Sequence, residues 1–244
     1  MLMLRLLPLL LVLLLASGCG RPIERIAEKR LNERLRSLIG PADRYATRVR
    51  GGESLLRGRA RSVHVDGWNV RVTDDLTFDA VAFDLTDVEA DRDTGEIRRL
   101  GSVTFAAELG EANLVRYVRS RRVGIPELQI GIGEDALTVS GRPEVLGVSP
   151  ARVSVSGNLT PRPGGNGTLL DFTPSRARVA IVPIPGPVLR YIALRLNPVL
   201  DLSTFPIPVR VTGSEVQNGR LRVRGTVDPE EVIRRSGGAP ADRG

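Results

Sequence analysis

The chain of 244 residues contains one cysteine, Cys19, and one histidine, His64. A disulfide needs a pair of cysteines, and zinc or iron sites are usually built from several cysteine or histidine ligands, so neither is predicted. Aromatic residues make up 4% of the chain, which argues against a surface that stacks the bases of single-stranded nucleic acid. The sequence therefore predicts no cofactor and no nucleic-acid partner.

The N-terminus carries an apolar run from Leu6 to Ala16, preceded by Arg5. The run is too short to span a bilayer and has the layout of a secretory signal. The stretch LASGC, ending at Cys19, resembles a bacterial lipobox, in which the thiol is acylated and the preceding peptide is removed. We predict a signal peptide over residues 1–18 and an exported chain anchored by lipid at Cys19, facing the periplasm or the cell exterior. The alternative is an ordinary signal peptide with a free cysteine.

Positive charge is concentrated beside this anchor. Residues 20–61 hold 12 Arg or Lys and 5 Asp or Glu. Residues 62–244 hold 22 Arg or Lys and 23 Asp or Glu, so the rest of the chain is nearly neutral. Basic residues near an acylated terminus are attracted to anionic headgroups, by about 1 kcal/mol each. We therefore predict an anionic membrane surface as a partner of residues 20–61.

The segment after the cysteine has helical periodicity. Apolar residues between Ile23 and Ile39 recur at helical spacing, and Gly40 follows as a stop signal. This predicts an amphipathic helix over residues 22–39 at the start of a single domain covering residues 19–235. The helix could dock on the core of its own domain or rest on a membrane. Residues 236–244 are predicted to be a disordered tail.

Alternating apolar residues replace the helical pattern from about residue 59, and they predict half-buried antiparallel strands. Asn218-Gly219 predicts a hairpin that places Val216 opposite Leu221. Val209 and Val211 then point to the other face of the strand, unless a bulge lies near Gly213. A similar switch between Leu76 and Val81 predicts a second bulge. Because bulges bend sheets, the sheet is expected to be strongly curved. The apolar segment from Gly186 is expected to be a helix inside its concave face. The predicted fold is α+β, with a strongly curved, mostly antiparallel sheet wrapped on amphipathic helices.

Two segments suggest chemistry. Ser62, His64 and Asp66 share one face of a strand, but such side chains are expected to stand parallel rather than converge as in a catalytic triad. The segment DRDTGE, residues 91–96, resembles part of a calcium loop without its closing glutamate, and a hairpin turn explains it better. We predict that the protein is not an enzyme, and a lipid hydrolase is the least favoured class.

Residues 194–226 resemble the LmeA-like phospholipid-binding family of bacterial envelope proteins. The shared features are the apolar helix running into Asn197-Pro198, then Asp201-Leu202, the segment FPIP from Phe205 and a closing hairpin. The resemblance implies a domain related in shape to tubular lipid-binding domains, with phospholipid as the ligand and without catalytic residues. Asn197 and Asp201 match the family pattern, and we interpret them as residues that cap the helix end and set the turn.

We predict that phospholipid acyl chains lie in an apolar crevice between the sheet and its helices. The candidate lining residues are Val81, Phe83, Val103 and Phe105 on strands, and Val188, Leu189, Ile192, Leu196 and Leu200 on the apolar helix and just after it. The same residues could instead form a closed core. The alternative function is a structural adaptor in the cell envelope that presents its sheet to a protein partner, which free sheet edges or a large exposed apolar patch would favour.

Overall fold

The computed structural model of the protein describes residues 20–91, 93–143, 152–178 and 186–237. Its helices are α1 (Gly20–Leu38), α2 (Glu111–Ser120), α3 (Gly186–Leu196) and α4 (Pro229–Arg235), with a 3₁₀ helix at Gly52–Arg57. Its strands are β1 (Arg44–Arg50), β2 (Arg59–Arg71), β3 (Thr77–Ala90), β4 (Ile97–Arg99), β5 (Ser102–Gly110), β6 (Gln129–Ile132), β7 (Leu137–Gly141), β8 (Val153–Gly164), β9 (Gly167–Arg178), β10 (Leu200–Asp201), β11 (Val209–Gln217) and β12 (Arg220–Val227).

These strands form two antiparallel sheets. The larger has the order β1-β2-β3-β5-β12-β11, with β4 also paired to β3, and the smaller has the order β10-β9-β8-β7-β6. The larger sheet curls into a half-barrel, so the predicted α+β fold with a strongly curved antiparallel sheet is confirmed. Side chains from both sheets and from the helices form one buried apolar cluster.

The closing hairpin shows one source of the curvature. Asn218 and Gly219 turn the chain with φ values of 51° and 72°, as a type I′ turn requires. Val216 pairs with Leu221, and the β11–β12 register shifts between Val211 and Gly213. The bulge predicted near Gly213 is therefore confirmed.

The second predicted bulge, between Leu76 and Val81, is wrong. The β2–β3 register is continuous there, with Val70 opposite Phe78 and Gly67 opposite Val81. The alternation of buried and less buried residues shifts by one position on β2 and on β3 at the same level. Asn69 bends β2 at this level with a φ of 50°. A left-handed asparagine therefore makes the bend that we assigned to an inserted residue, because Asn tolerates this conformation better than most residues do.

Helix α1 docks on its own domain. Leu35 and Ile39 are buried, Leu31 and Leu38 are half-buried against the core, and the helix packs on β1 and on the 3₁₀ helix. Its apolar stripe is thus used in packing within the chain. In the described ranges, every helix is too short or too polar to cross a bilayer.

A glycine opposite the bulge gives the first prediction. Gly225 pairs with Val211 and Phe105, and a Cβ there would lie 2.1 Å from the Arg210 carbonyl oxygen and 2.5 Å from Phe105 Cε1. Because the contact with Arg210 is with backbone, Gly225→Ala should lower the free energy of unfolding by about 3 kcal/mol, the upper end for overpacking. Denaturant unfolding would measure this.

Gly213→Ala is the matched control, since no atom lies within 4 Å of a Cβ at that position. It should change stability by no more than about 0.5 kcal/mol. Equal unfolding midpoints for the two variants would contradict the packing described at Gly225.

Candidate functional site

The four strand residues predicted to contact lipid lie together on the buried face of the larger sheet. Phe83 is directly opposite Phe105 across the β3–β5 pairing. Val81 is two residues before Phe83 on β3, and Val103 is two residues before Phe105 on β5. Each is at most 5% exposed, and the ring centroids of Phe83 and Phe105 are 6.4 Å apart. The structure thus places these four side chains in one apolar patch.

Phe205 lies against this patch and was missed as a candidate residue. Its ring centroid is 6.4 Å from that of Phe83 and 6.2 Å, edge to face, from that of Phe78. Phe205 belongs to the connection between β10 in the smaller sheet and β11 in the larger one. The sequence signal that could have identified Phe205 was the presence of an aromatic residue in the FPIP segment, which otherwise resembles a turn.

The remaining predicted residues lie on α3 and on β10. Ile192, Leu196 and Leu200 are buried, whereas Val188 and Leu189 are half-buried. Helix α3 packs most extensively on β9 of the smaller sheet, rather than within the concave face of a single sheet as we expected. A helix that follows β9 after a short connection readily packs back on that strand.

Asn197 and Asp201 fix the end of α3. The Asn197 Oδ1 atom accepts from Phe172 N at 2.6 Å, and its Nδ2 donates to Phe172 O at 3.2 Å. Asn197 therefore joins the helix end to β9 instead of capping the helix. Asp201 Oδ1 accepts from the backbone and hydroxyl groups of Ser203 at 2.9 and 2.6 Å, so Asp201 sets the turn as predicted.

Helix α2 is bonded to the same connection between α3 and β10. The Tyr117 hydroxyl accepts from Asp201 N at 3.2 Å, and Arg121 donates to the Pro198 carbonyl. Burial raises the pKa of Tyr117, so its hydroxyl remains neutral. These contacts place the C-terminal end of α2 beside the C-terminal end of α3.

His64 makes contacts that we did not expect. Its Nδ1 is 2.6 Å from Asp84 Oδ1 and its Nε2 is 3.0 Å from Asp66 Oδ1, so the His64 and Asp66 side chains do converge. The parallel arrangement expected for this strand face is wrong, because histidine is long enough to bend toward a neighbour on its own strand. Both ring nitrogens bond to carboxylates, however, and neither is placed to take a proton from Ser62.

The described residues of the DRDTGE segment, 91 and 93–96, form a turn between β3 and β4. Asp91 Oδ1 accepts from the backbone N–H groups of Asp93 and Thr94, both at 2.9 Å, and these bonds lower the pKa of Asp91. The carboxylate that a calcium ion would need is thus used by the turn itself. Among the described residues, no group of His, Cys, Asp and Glu side chains is arranged to hold a metal ion.

A half-barrel of antiparallel strands with a few helices and a buried apolar interior defines an α+β domain. The sequence profile of the LmeA-like phospholipid-binding family matches residues 19–226, and the chain therefore belongs to that family. No protein with a curated description and no solved structure matches the chain. Family membership confirms the resemblance seen at residues 194–226, and it indicates lipid binding and favours a binding protein over an enzyme.

Proposed function

We propose that the protein is a lipid-anchored envelope protein that binds phospholipid acyl chains in an apolar crevice, without catalysis. The observation that carries the proposal is the family match over residues 19–226. The apolar interior supports it, because a patch of aliphatic and aromatic side chains on a curved sheet offers acyl chains the surface that they need.

Access to this interior is proposed to occur by movement of α3. Ile192 and Leu196 are closed off by packing, but Val188 and Leu189 in the first turns of the helix are half-buried. Leu194 points outward and is 77% exposed. The core-facing residues of this helix are buried near its C-terminal end and half-buried in its first turns. The helix can therefore separate from the core at its first turns, which would admit acyl chains beside it.

Copurification tests lipid binding directly. A soluble form starting at Gly20 should carry phospholipid from its host, because exposed apolar surface costs about 25 cal/mol per Å² and a crevice is more stable when filled. Mass spectrometry of an organic extract of the purified protein would identify the lipid. A lipid-free protein that also fails to take up labelled phospholipid from vesicles would overturn the proposal.

The membrane-facing side is proposed to be the segment next to the anchor. Arg25, Lys29 and Arg36 are exposed on α1. Ile26 is 58% exposed, and Leu56 of the neighbouring 3₁₀ helix is 51% exposed. Among the side chains whose exposure the structure describes, the large exposed apolar ones are these two and Leu194. Exposed apolar residues among cations suit an interfacial surface, so residues 20–61 would orient the anchored domain on anionic lipid.

The adaptor alternative is less well supported, because a backbone N–H of each outer strand is already bonded to a side chain of a neighbouring element. A free edge exposes unpaired backbone groups that could pair with a partner strand. Here a polar side chain from a neighbouring element bonds to the backbone of each outer strand in the order given above. The four contacts are Val49 N to Glu28 Oε1 (3.2 Å, β1), Val211 N to Thr168 Oγ1 (3.0 Å, β11), Ile132 N to Glu111 Oε2 (2.9 Å, β6) and Asp201 N to Tyr117 Oη (3.2 Å, β10).

A further inference from the structure

A second concave surface lies where α2 ends. The chain from Val118 to Leu128 lines an open, shallow pocket of about 500 Å³. Its apolar lining residues are Val118, Val123, Ile125, Pro126 and Leu128, and its charged lining residues are Arg119 and Arg122. Val118 and Ile125 belong to the buried core, so the lining is continuous with the apolar interior. No residue of the basic segment 20–61 lines this pocket.

The loop that forms the pocket is held in shape. Arg122, Gly124 and Glu127 have φ values of 49°, 71° and 53°, and the loop is joined to the end of β7 by a bond from Arg142 N to Pro126 O of 2.9 Å. The Glu127 carboxylate pairs with Arg142 at 3.3 Å and with Arg152 at 3.5 Å. The acidic group of the loop is therefore engaged by other arginines and does not neutralise the pocket.

Three arginines at this end of the molecule are not neutralised by the described carboxylates. Arg119, Arg122 and Arg195 are exposed, and none of them makes an ion pair within the part of the chain that the structure describes. The Arg195 guanidinium lies 5.5 Å from the Tyr191 ring centroid, and its Nη1 is 3.6 Å from where a Cβ on Gly124 would lie. Arg195 therefore reaches the same loop from α3. The nearby Asp201 is already bonded to Ser203.

We propose that this pocket holds the phosphate of an anionic phospholipid, with Arg119 and Arg122 as its main ligands. Guanidinium groups bind phosphate oxygens through paired hydrogen bonds, and two of them at the rim of an apolar floor match the junction between headgroup and acyl chains. The acyl chains then follow the apolar lining toward the interior of the domain, to which Val118 and Ile125 belong. This inference rests on the proposed phospholipid binding and adds the class of headgroup and its site.

The test compares Arg119→Gln/Arg122→Gln with wild type in the soluble form starting at Gly20. Vesicles containing a trace of labelled phosphatidylglycerol or phosphatidylcholine would be incubated with the protein, and lipid that elutes with protein would be measured. Wild type should prefer the anionic lipid by about tenfold, and the double variant should lose that preference. Both positions are exposed, so the variant should fold, which circular dichroism would verify.

Arg99→Gln/Arg210→Gln is the matched control, because these are exposed strand arginines and the net charge changes equally. It should keep the preference. An equal loss in the control, or an unchanged preference in the Arg119/Arg122 variant, would overturn the pocket while leaving lipid binding intact. Inorganic phosphate that binds as tightly as the lipid would show a free-phosphate site and overturn the headgroup assignment. Failure of wild type to bind either lipid would overturn this inference together with the proposed function.

Discussion

Cys19→Ser protein will lose nearly all fatty-acid label and will leave the membrane fraction. The apolar run before Cys19 is too short to act as a permanent anchor once the chain has been exported, and no described helix could replace it. Lipoprotein anchoring depends on acyl chains joined to the thiol, and each buried CH₂ contributes about 0.8 kcal/mol to membrane affinity. Palmitate labelling and fractionation of cells would measure both losses.

Ser17→Ala is the control for this experiment, since a small residue remains two positions before the cysteine and acylation should persist. The basic segment gives a separate prediction. A soluble form starting at Gly20 should bind vesicles that contain anionic lipid and should dissociate from them as the salt concentration rises. Equal labelling of Cys19→Ser and wild type would contradict the lipoprotein hypothesis. Undiminished binding to neutral vesicles at high salt would exclude the basic segment as the membrane contact.

The closing hairpin and its bulge could be predicted because short-range physics determines them. Asn218-Gly219 favours left-handed conformations that few other pairs tolerate, and the parity of Val211 and Val216 required a bulge between them. The alternation of apolar residues also identified the face that carries Phe83 and Phe105. These inferences depend only on neighbours in sequence or on the two-residue period of a strand.

The division into two sheets could not be predicted in this way. An alternating strand has one buried face whether its neighbours belong to one sheet or to two, so the pattern does not distinguish β8 and β9 from β3 and β5. The position of α3 on β9 and that of Phe205 against Phe83 both depend on this division. A single sequence therefore indicated which residues are apolar and buried, but not which of them face each other.

The side-chain contacts at the sheet edges were equally inaccessible to sequence reasoning. Glu28 is 21 positions from the β1 residue that it binds, and Thr168 is 43 positions from its β11 partner. Neither residue belongs to a recognisable motif, and a glutamate on an amphipathic helix ordinarily indicates a solvated face. Their contacts nevertheless bear on function, because each occupies a backbone N–H that could otherwise pair with a partner strand.

Ile192→Asp should abolish copurification of phospholipid while the two sheets remain folded. Ile192 is 3% exposed on the side of α3 that faces the core, so a carboxylate there would oppose both acyl chains and the closed position of the helix. If α3 can separate from the core, as lipid entry requires, the charged side chain reaches water. The variant then loses only the packing free energy between α3 and the core. Mass spectrometry of the extract and far-ultraviolet circular dichroism would measure the two effects.

Leu194→Asp provides a control with the same chemical change two positions along the helix, where the side chain is 77% exposed. It should keep both the bound lipid and the stability of wild type. If Ile192 belongs instead to a closed core, the aspartate is buried without a partner and the whole domain should unfold with it. An unfolded Ile192→Asp protein together with a lipid-free wild type would contradict the crevice, because the apolar interior would then serve stability alone.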